Sequence, residues 1–434
     1  MPNKNHPVSH RPLGYVEHIY RSGAEFGAFV AVRIVRISGP LTADVLQTSL
    51  QDVQNEIALL RASMTGRGEL QVSTTADVPL NVVQRRSPEQ WKEMATAALL
   101  QRFPDGSLLW RAWFLESADG QNHELLFAFH HSISDGSAIT WLVNRVVQKC
   151  QARLKGQTIQ HAAQPLPAAA DKSLPGLGIG RAIRFAWHHV IKMFQRNDRA
   201  IQQLVQSPWV SADDRTTTIR FLTLPTDSTA RLLTTGKRER STVEGTLMAA
   251  MLRASSTMVG KTTKPFMCFT SVNLRPVCQV EPDLFGCFVY WAESLQPVRP
   301  DGDFWDLARQ TSSGIQRSKQ KRGLPPPALF KTVSGRVLRG IVNNKAMGRT
   351  NAVGVSNLGK IDLLDDFTPL RVTEMYSLAA QQAIGNAAHL IGGSVSGRIM
   401  ATLMFTSPIP EAAADTFVKD FQAVLEAACL AEPS

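Results

Sequence analysis

Hydrophobic and polar positions alternate along the first part of the chain in a way that predicts alternating strands and helices. Residues 29–37 read FVAVRIVRI, the pattern of a strand with one polar face. Residues 41–63 then place apolar side chains at helical spacing, with Thr42 as the expected N-cap. Two further strands are predicted over residues 108–115 and 124–129, and the turn-rich segment between them indicates a hairpin.

A second α/β pattern follows a stretch of different composition. A helix is predicted to begin near Ser137, whereas residues 152–207 are punctuated by Gly and Pro and contain a basic amphipathic segment. This composition predicts a connection between two halves: an N-terminal subdomain over residues 1–155, a basic crossover over 156–210 and a C-terminal subdomain over 211–434. Strands are predicted over residues 216–224, 265–272, 287–295 and 352–355, helices over 243–259 and 411–428, and two short apolar runs over 391–405.

Composition places the chain among ordinary globular proteins. It has 434 residues, 44% hydrophobic and 19% charged, and enough length to bury a large core. The start is polar and interrupted by Pro, and no apolar run reaches the roughly 18 residues of a membrane span, so we expect a cytoplasmic protein. The five cysteines are widely spaced with no CxxC pair, which predicts small buried hydrophobes rather than a metal or redox centre.

The net charge of +11 is unevenly distributed. Residues 307–361 contain many Lys and Arg and no acidic residue, and a second basic block covers residues 181–199. Such a field favours polyanionic partners, or it forms a solvated basic surface. Aromatic residues are not interleaved with the basic ones, which disfavours nucleic acid. Coenzyme A or an acidic acyl carrier protein would fit the charge.

The candidate chemistry lies in the sequence FHHSISDG, residues 129–136, between a predicted strand and a predicted helix. Adjacent histidines on a strand point to opposite sides, so one can face the core and the other a cleft. Histidine is the side chain best suited to take a proton near neutral pH. Asp135 precedes a helix start, where its charge suits the helix dipole, and Gly136 allows close approach. A second doublet, His188-His189, has no Asp-Gly after it and predicts surface or packing residues.

The sequence HHSISDG matches HHxxxDG, and at this point the chain resembles the chloramphenicol-acetyltransferase-like acyltransferases, which include condensation domains and the polyketide-associated (Pap) and alcohol acetyltransferase types. The resemblance extends to residues 11–17, 271–276, 285–288 and the SNLG of residues 356–359. Leu59-Leu60-Arg61 is similar to the end of an HPxLR segment whose His-Pro is absent here. The BAHD-type DFGWG segment has no clear counterpart, which disfavours a plant-type member. No lipoyl, carrier or adenylation module is seen, so a free-standing enzyme is expected.

The resemblance implies an α/β fold of two α+β sandwich halves, a pseudo-dimer with the active site in a tunnel between two similar subdomains. It implies His131 as the general base for acyl transfer from a thioester, and His130 and Gly136 as structural residues. Asp135 is expected to form an ion pair with Arg275 between the halves. Asn357 or Ser356 is a possible contact to the oxyanion or the substrate. No metal and no permanently bound cofactor is expected; the donor would be acyl-coenzyme A or a phosphopantetheine-linked acyl group.

Three functions remain open from the sequence. The leading hypothesis is an O-acyltransferase that forms an ester from an acyl thioester and an alcohol. An N-acyltransferase or condensation enzyme would form an amide with the same histidine. A non-catalytic binding protein on the same fold is the third, although the second His and the Gly of the motif are intact. Because both halves of the site would lie in one chain, we expect a monomer that works in secondary metabolism.

Overall fold

The computed structural model describes residues 10–24, 29–173, 201–204, 210–211, 214–260, 264–322, 340, 343, 352–361, 368–380 and 386–430. The chain divides into two compact units. The first contains Met1–Pro175, Arg275–Phe288 and Ile361–Ala380, and the second contains Gly176–Leu274, Val289–Lys360 and Gln381–Ser434. The contiguous division expected from the sequence therefore differs from the structure, because two segments from the second half of the chain fold into the first unit.

Helices and strands alternate along both units. From the N-terminus the elements are β1 (His10–Pro12), α1 (Tyr15–Ala24), β2 (Val30–Ser38), α2 (Ala43–Glu56), a 3-10 helix (Ala58–Arg61), β3 (Ala62–Met64), β4 (Glu69–Val72), β5 (Leu80–Gln84), α3 (Gln90–Leu100), β6 (Trp110–Glu116), β7 (Asn122–His130), α4 (Gly136–Leu154) and α5 (Ala170–Ser173). They continue with β8 (Thr217–Leu224), α6 (Thr226–Arg238), α7 (Val243–Val259), β9 (Phe266–Asn273), α8 (Arg275–Cys278), β10 (Val289–Gln296), α9 (Phe304–Arg322), β11 (Ala352–Lys360), β12 (Arg371–Ala379), β13 (Asn386–Val395), β14 (Arg398–Thr406) and α10 (Glu411–Leu430).

A five-stranded sheet, in the order β12-β2-β7-β6-β5, forms the centre of the first unit. The predicted hairpin is present as β6 and β7, and β7 also pairs antiparallel with β2 from Val30↔His130 to Ser38↔Asn122. The far strand β12 pairs with β2 although hundreds of residues separate them in sequence. Helix α4 buries the apolar face that the sequence predicted, including Leu142, Val143 and Val146. Strand β7 thus ends at the histidine doublet inside a well-anchored sheet.

The second unit contains a six-stranded sheet in the order β10-β9-β11-β13-β14-β8. Strands β9, β11 and β13 run parallel, and the other neighbouring pairs are antiparallel. Residues from α7, α9 and α10 pack with Val353, Val355 and Leu390 in one hydrophobic cluster. Because side chains alternate along a strand, residues 354 and 356 point to the opposite face of this sheet.

Some expectations are refined by the structure. The predicted N-cap Thr42 accepts a hydrogen bond from the backbone N–H three residues on, and Thr242 caps α7 in the same way. Helix α2 ends at Glu56 rather than at residue 63, because the backbone adopts an extended conformation at Ile57. All five cysteines are free thiols; four are buried and Cys429 is half-buried. The α/β class predicted from the sequence is confirmed.

Candidate active site

The FHHSISDG loop connects β7 to α4 in the first unit and is held at both ends. The backbone N–H of His131 donates to the carbonyl of Phe29, 2.9 Å away, which ties the loop to the start of β2. At the other end, Oδ1 of Asp135 accepts from the N–H of Ala138 at 2.9 Å and caps α4. A side-chain oxygen at this position satisfies a helix N–H that would otherwise lack a partner. The loop therefore has little freedom at the histidines.

Asp135 is a structural carboxylate. Its Oδ2 accepts from Nη1 of Arg275 and from the backbone N–H of Phe288, each at 2.8 Å. Nη2 of Arg275 also donates to the carbonyls of Leu284 and Gly286. The expected ion pair is present, and the side chains of both partners are almost fully buried. The expectation that it joins the two halves is wrong, because residues 275–288 belong to the first unit.

His130 points into the core. It is 3% exposed, and its Nδ1 lies 2.7 Å from Oγ of Ser132 and accepts from the Ser132 backbone N–H at 3.2 Å. Burial lowers the pKa of His130 to about 3, so the ring is neutral at physiological pH. A neutral, enclosed ring with its nitrogen already bonded fits the packing role expected for it.

His131 differs from its neighbour in both exposure and contacts. The residue is partly exposed, although its Nδ1 is buried. Its ring stacks on Tyr20 with centroids 4.4 Å apart and planes only 7° from parallel. Burial lowers the pKa of His131, while the backbone at His131 and Ser134 and the Asp135 carboxylate act in the opposite direction. The net lowering leaves the ring unprotonated at neutral pH, which is the form that can accept a proton.

Two residues that support the loop were not identified from the sequence. Tyr20 on α1 supplies the stacking surface for His131 and meets Phe29 edge-on at 4.9 Å. Arg33 on β2 is 1% exposed and donates through Nη2 to the carbonyl of Gly136 at 2.9 Å and to Oγ1 of Thr140 at 3.1 Å. No ion pair of Arg33 with a carboxylate occurs within the described residues, and burial lowers its pKa to about 10. Sequence alone marks neither residue, because both contacts depend on tertiary structure.

Ser356 and Asn357 lie on β11 in the second unit, whereas the other predicted site residues belong to the first unit. Oγ of Ser356 is 3.0 Å from Nε2 of His389. Oδ1 of Asn357 accepts from the backbone N–H of Gly359 at 2.9 Å, so half of its carboxamide is used locally. His389 was also missed, although a lone histidine in the apolar run of β13 is a signal that the sequence offers.

The basic stretch of residues 307–361 is described only in part. Arg309 pairs with Glu239 and Asp306, and Lys319 pairs with Glu244. In the described part of this stretch, Arg309 and Lys319 are therefore both paired with acidic side chains. Most of the remaining basic residues, and the block at 181–199 with His188-His189, lie outside the described residues.

Two kinds of feature, a membrane-spanning helix and a metal-binding cluster, are absent from the described residues. Over those ranges, no helix combines the length and the apolar character that crossing a bilayer requires. Within the same residues, no cluster of three or more His, Cys, Asp or Glu side chains is arranged to hold a metal ion.

Comparisons with known proteins agree with the HHxxxDG resemblance. Residues 26–166, which include the motif, match the Condensation domain family, and residues 214–407 match the Phthiocerol/phthiodiolone dimycocerosyl transferase C-terminus family. No curated protein matches the chain in sequence. The resemblance to the condensation and Pap superfamily is confirmed, and these matches support an acyltransferase of that type.

Solved structures share the fold across nearly the whole chain. Polyketide synthase associated protein 5 from Mycobacterium tuberculosis is 14% identical with a TM-score of 0.68, covering 96% of this chain and 98% of that one. The condensation domain from Monacolin K polyketide synthase MokA is 12% identical with a TM-score of 0.67, covering 98% of each chain. The first condensation domain of the calcium-dependent antibiotic synthetase is 13% identical with a TM-score of 0.70, covering 98% and 97%. The chain thus has the condensation-domain fold.

Proposed function

We propose that this protein transfers an acyl group from a thioester to an alcohol and forms an ester, with His131 as the general base. The observation that carries the proposal is the state of His131: a partly exposed, unprotonated ring, stacked on Tyr20, in a loop fixed by the Asp135 and Phe29 contacts. The other motif histidine is enclosed and bonded to Ser132, so it cannot meet a substrate in this arrangement.

The chemistry follows from the geometry of the ring. In the proposed mechanism the ring of His131 is neutral and the lone pair of Nε2 is offered to the acceptor. Nε2 takes the proton of the alcohol as its oxygen attacks the thioester carbonyl carbon. The carbon–sulfur bond then breaks, and the imidazolium returns that proton to the departing thiolate. A thiol with a pKa near 8.5 is a good leaving group, so the return transfer is the lesser demand.

The donor and partners are part of the same proposal. Acyl-coenzyme A or an acyl carrier protein would supply the thioester, and the basic residues between 307 and 361 are the proposed contact for its anionic groups. Asn357 or Ser356 is proposed as a contact to the oxyanion or the substrate.

An amide product is the second candidate, because the Condensation domain match covers the part of the chain that contains His131. Both reactions need the same proton transfer, so the acceptor alone distinguishes them. The match of residues 214–407 to the Phthiocerol/phthiodiolone dimycocerosyl transferase C-terminus family supports our choice of the ester as the leading proposal.

The test is an acyl-transfer assay with detection of products by mass. Native protein, His131→Ala and the matched control His161→Ala are each given acyl-coenzyme A and acyl-carrier donors with alcohols and amines. His161 is a partly exposed histidine of the same unit whose ring is 3.6 Å from Glu56. We expect ester from the native protein and the control, and a loss of about 10²–10⁴-fold in His131→Ala. Amide as the main product supports the second candidate, and equal product from His131→Ala contradicts the mechanism.

A further inference from the structure

Phe29, the residue immediately before β2, is linked to His131 in two ways. Its carbonyl accepts the backbone N–H of His131 at 2.9 Å. Its ring meets Tyr20 edge-on, with centroids 4.9 Å apart, and the imidazole of His131 is stacked on that same Tyr20 ring. We propose that Phe29 is a positioning residue that holds both the backbone and the ring of His131. The inference rests on the proposed acyl transfer, because the group that Phe29 positions is the proposed general base.

The backbone conformation of Phe29 is unfavourable for this type of residue. Its φ is +68°, in the left-handed region that glycine adopts at little cost and that a bulky side chain rarely occupies. Among the described residues, positive φ at a non-glycine position otherwise occurs at Arg240, Gln279 and Ser396, which are polar and exposed. Phe29 is instead 6% exposed. A buried aromatic residue held in this conformation points to a role for its side chain at that position.

The carbonyl contact extends the sheet of the first unit by one residue. Phe29 and His131 continue the antiparallel register of β2 and β7, in which Val30 is paired with His130. The hydrogen bond from His131 to Phe29 is therefore one further bond of the same ladder. It fixes the backbone of His131 relative to β2, although His131 follows the last residue of β7.

The ring of Phe29 packs against one face of α1. Tyr20 and Gly23 are three residues apart, which places them on the same side of this helix. A Cβ built on Gly23 would lie 1.9 Å from Cε2 of Phe29, so the ring lies directly against the helix backbone. Its plane is 75° from that of Tyr20. The absence of a side chain at Gly23 therefore gives Phe29 the space to contact Tyr20.

These contacts form a closed path around His131. The path runs from the carbonyl of Phe29 to the backbone of His131, through the stacked rings of His131 and Tyr20, and back to the ring of Phe29. A rotation of the imidazole breaks its stack with Tyr20, and the ring of Phe29 opposes a shift of Tyr20 that would follow it. Because misplacing a catalytic group by about 1 Å can cost about 10²-fold in rate, this restraint bears directly on kcat.

The orientation of the His131 ring can be measured without catalysis. In protein labelled with ¹³C at Cε1 of histidine, the ring current of Tyr20 shifts the signal of a ring stacked on its face upfield, and His131→Ala identifies that signal among the ten histidines. We expect this upfield shift in the native protein and a smaller one in Phe29→Leu. The same reduction is expected in Gly23→Ala, which displaces the Phe29 ring without removing it. An unchanged His131 signal in either folded variant overturns the inference.

Stability measurements test the left-handed conformation separately. Phe29→Ala and Phe29→Gly both lack the ring and differ only in the Cβ. At an ordinary φ the alanine variant is the more stable of such a pair, whereas at positive φ glycine has no steric penalty. We expect Phe29→Gly to unfold at the higher urea concentration. The reverse order would show that the left-handed conformation is not held in solution, and would overturn the backbone part of the inference.

Kinetics show whether the restraint matters for acyl transfer. Phe29→Leu and Gly23→Ala are each expected to lower kcat by up to about 10²-fold with little change in KM, since the base is misplaced. Phe29→Leu/Tyr20→Leu should lose less than the product of the two single losses, because both residues act on one ring. Gly66→Ala is the control for Gly23→Ala, since a Cβ on Gly66 meets only an ordinary contact at 3.5 Å.

The outcomes separate this inference from the proposed function. Native kcat in folded Phe29→Leu, or losses that multiply in the double variant, overturns the positioning role even when His131→Ala is inactive. Undiminished transfer by His131→Ala overturns the proposed mechanism instead, and the ring signal then judges the Phe29 arrangement by itself. Thermal unfolding of each variant shows whether a lost rate reflects a lost fold.

Discussion

Removing both partners of the Asp135–Arg275 pair should destabilise the protein about as much as removing Arg275 alone, and by less than the sum of the two single changes. The side chains are 2% and 3% exposed, so Arg275→Met leaves a carboxylate in the core with no cation. Breaking a buried pair in this way costs about 3–5 kcal/mol. Two backbone donors, the N–H groups of Ala138 and Phe288, still bond to Asp135, which places the expected loss near the lower end of that range.

The double variant Asp135→Asn/Arg275→Met carries no buried charge. It still loses hydrogen bonds at the carboxylate and at the carbonyls of Leu284 and Gly286, and each such loss costs about 1–3 kcal/mol when a buried group is left unsatisfied. We therefore expect its stability to lie close to that of Arg275→Met alone, rather than at the sum of the two single changes.

Urea unfolding followed by far-ultraviolet circular dichroism measures these differences through the unfolding midpoint. Arg102→Met is the matched control, because Arg102 is an exposed arginine of the same unit. Arg275→Met should also slow acyl transfer, since Asp135 holds the loop that carries His131. Strict additivity of the two single changes, or an unchanged midpoint in Arg275→Met, would refute the reasoning.

Four further predictions concern the motif and its supports. Tyr20→Leu should lower kcat more than it changes KM because the stacking surface of His131 is lost, whereas Tyr20→Phe should retain most of the rate; equal effects of the two would argue against stacking. Arg33→Met should unfold at the same or higher urea concentration, because a buried cation is replaced by an apolar chain. Transfer should nevertheless slow, because the Gly136 carbonyl loses the Arg33 donor and keeps only that of Thr140. Stability should fall as pH drops below about 6.5, where the unfolded chain protonates but buried His130, with a pKa of about 3, does not. In the same titrations kcat/KM should decline with an acid midpoint below 6.5, the direction in which burial moves the pKa of His131.

The helices and strands near the motif could be predicted from the sequence because residues close together in the chain determine them. Strands β2 and β7, the cap at Thr42 and the apolar face of α4 are all indicated by residues close together in the sequence. The histidine doublet could be assigned one inward and one outward residue from strand geometry alone. The structure agrees, with His130 enclosed and His131 partly exposed.

The features that the sequence did not predict depend on contacts between segments far apart in the chain. Nothing local indicates that β12 joins β2, or that residues 275–288 fold with the first unit. Helix α9 was missed because its sequence is mostly polar and only a few residues, such as Trp305 and Ile315, reach the core.

The central claim is that the His131 ring takes the proton of the acceptor. The most direct measurement is kcat for one donor and acceptor pair in native protein and in His131→Ala, with both shown to be folded by the same unfolding curve. We expect a loss of about 10²–10⁴-fold in the variant and the disappearance of the acid limb of the pH profile. A variant that transfers the acyl group as fast as the native protein would contradict it.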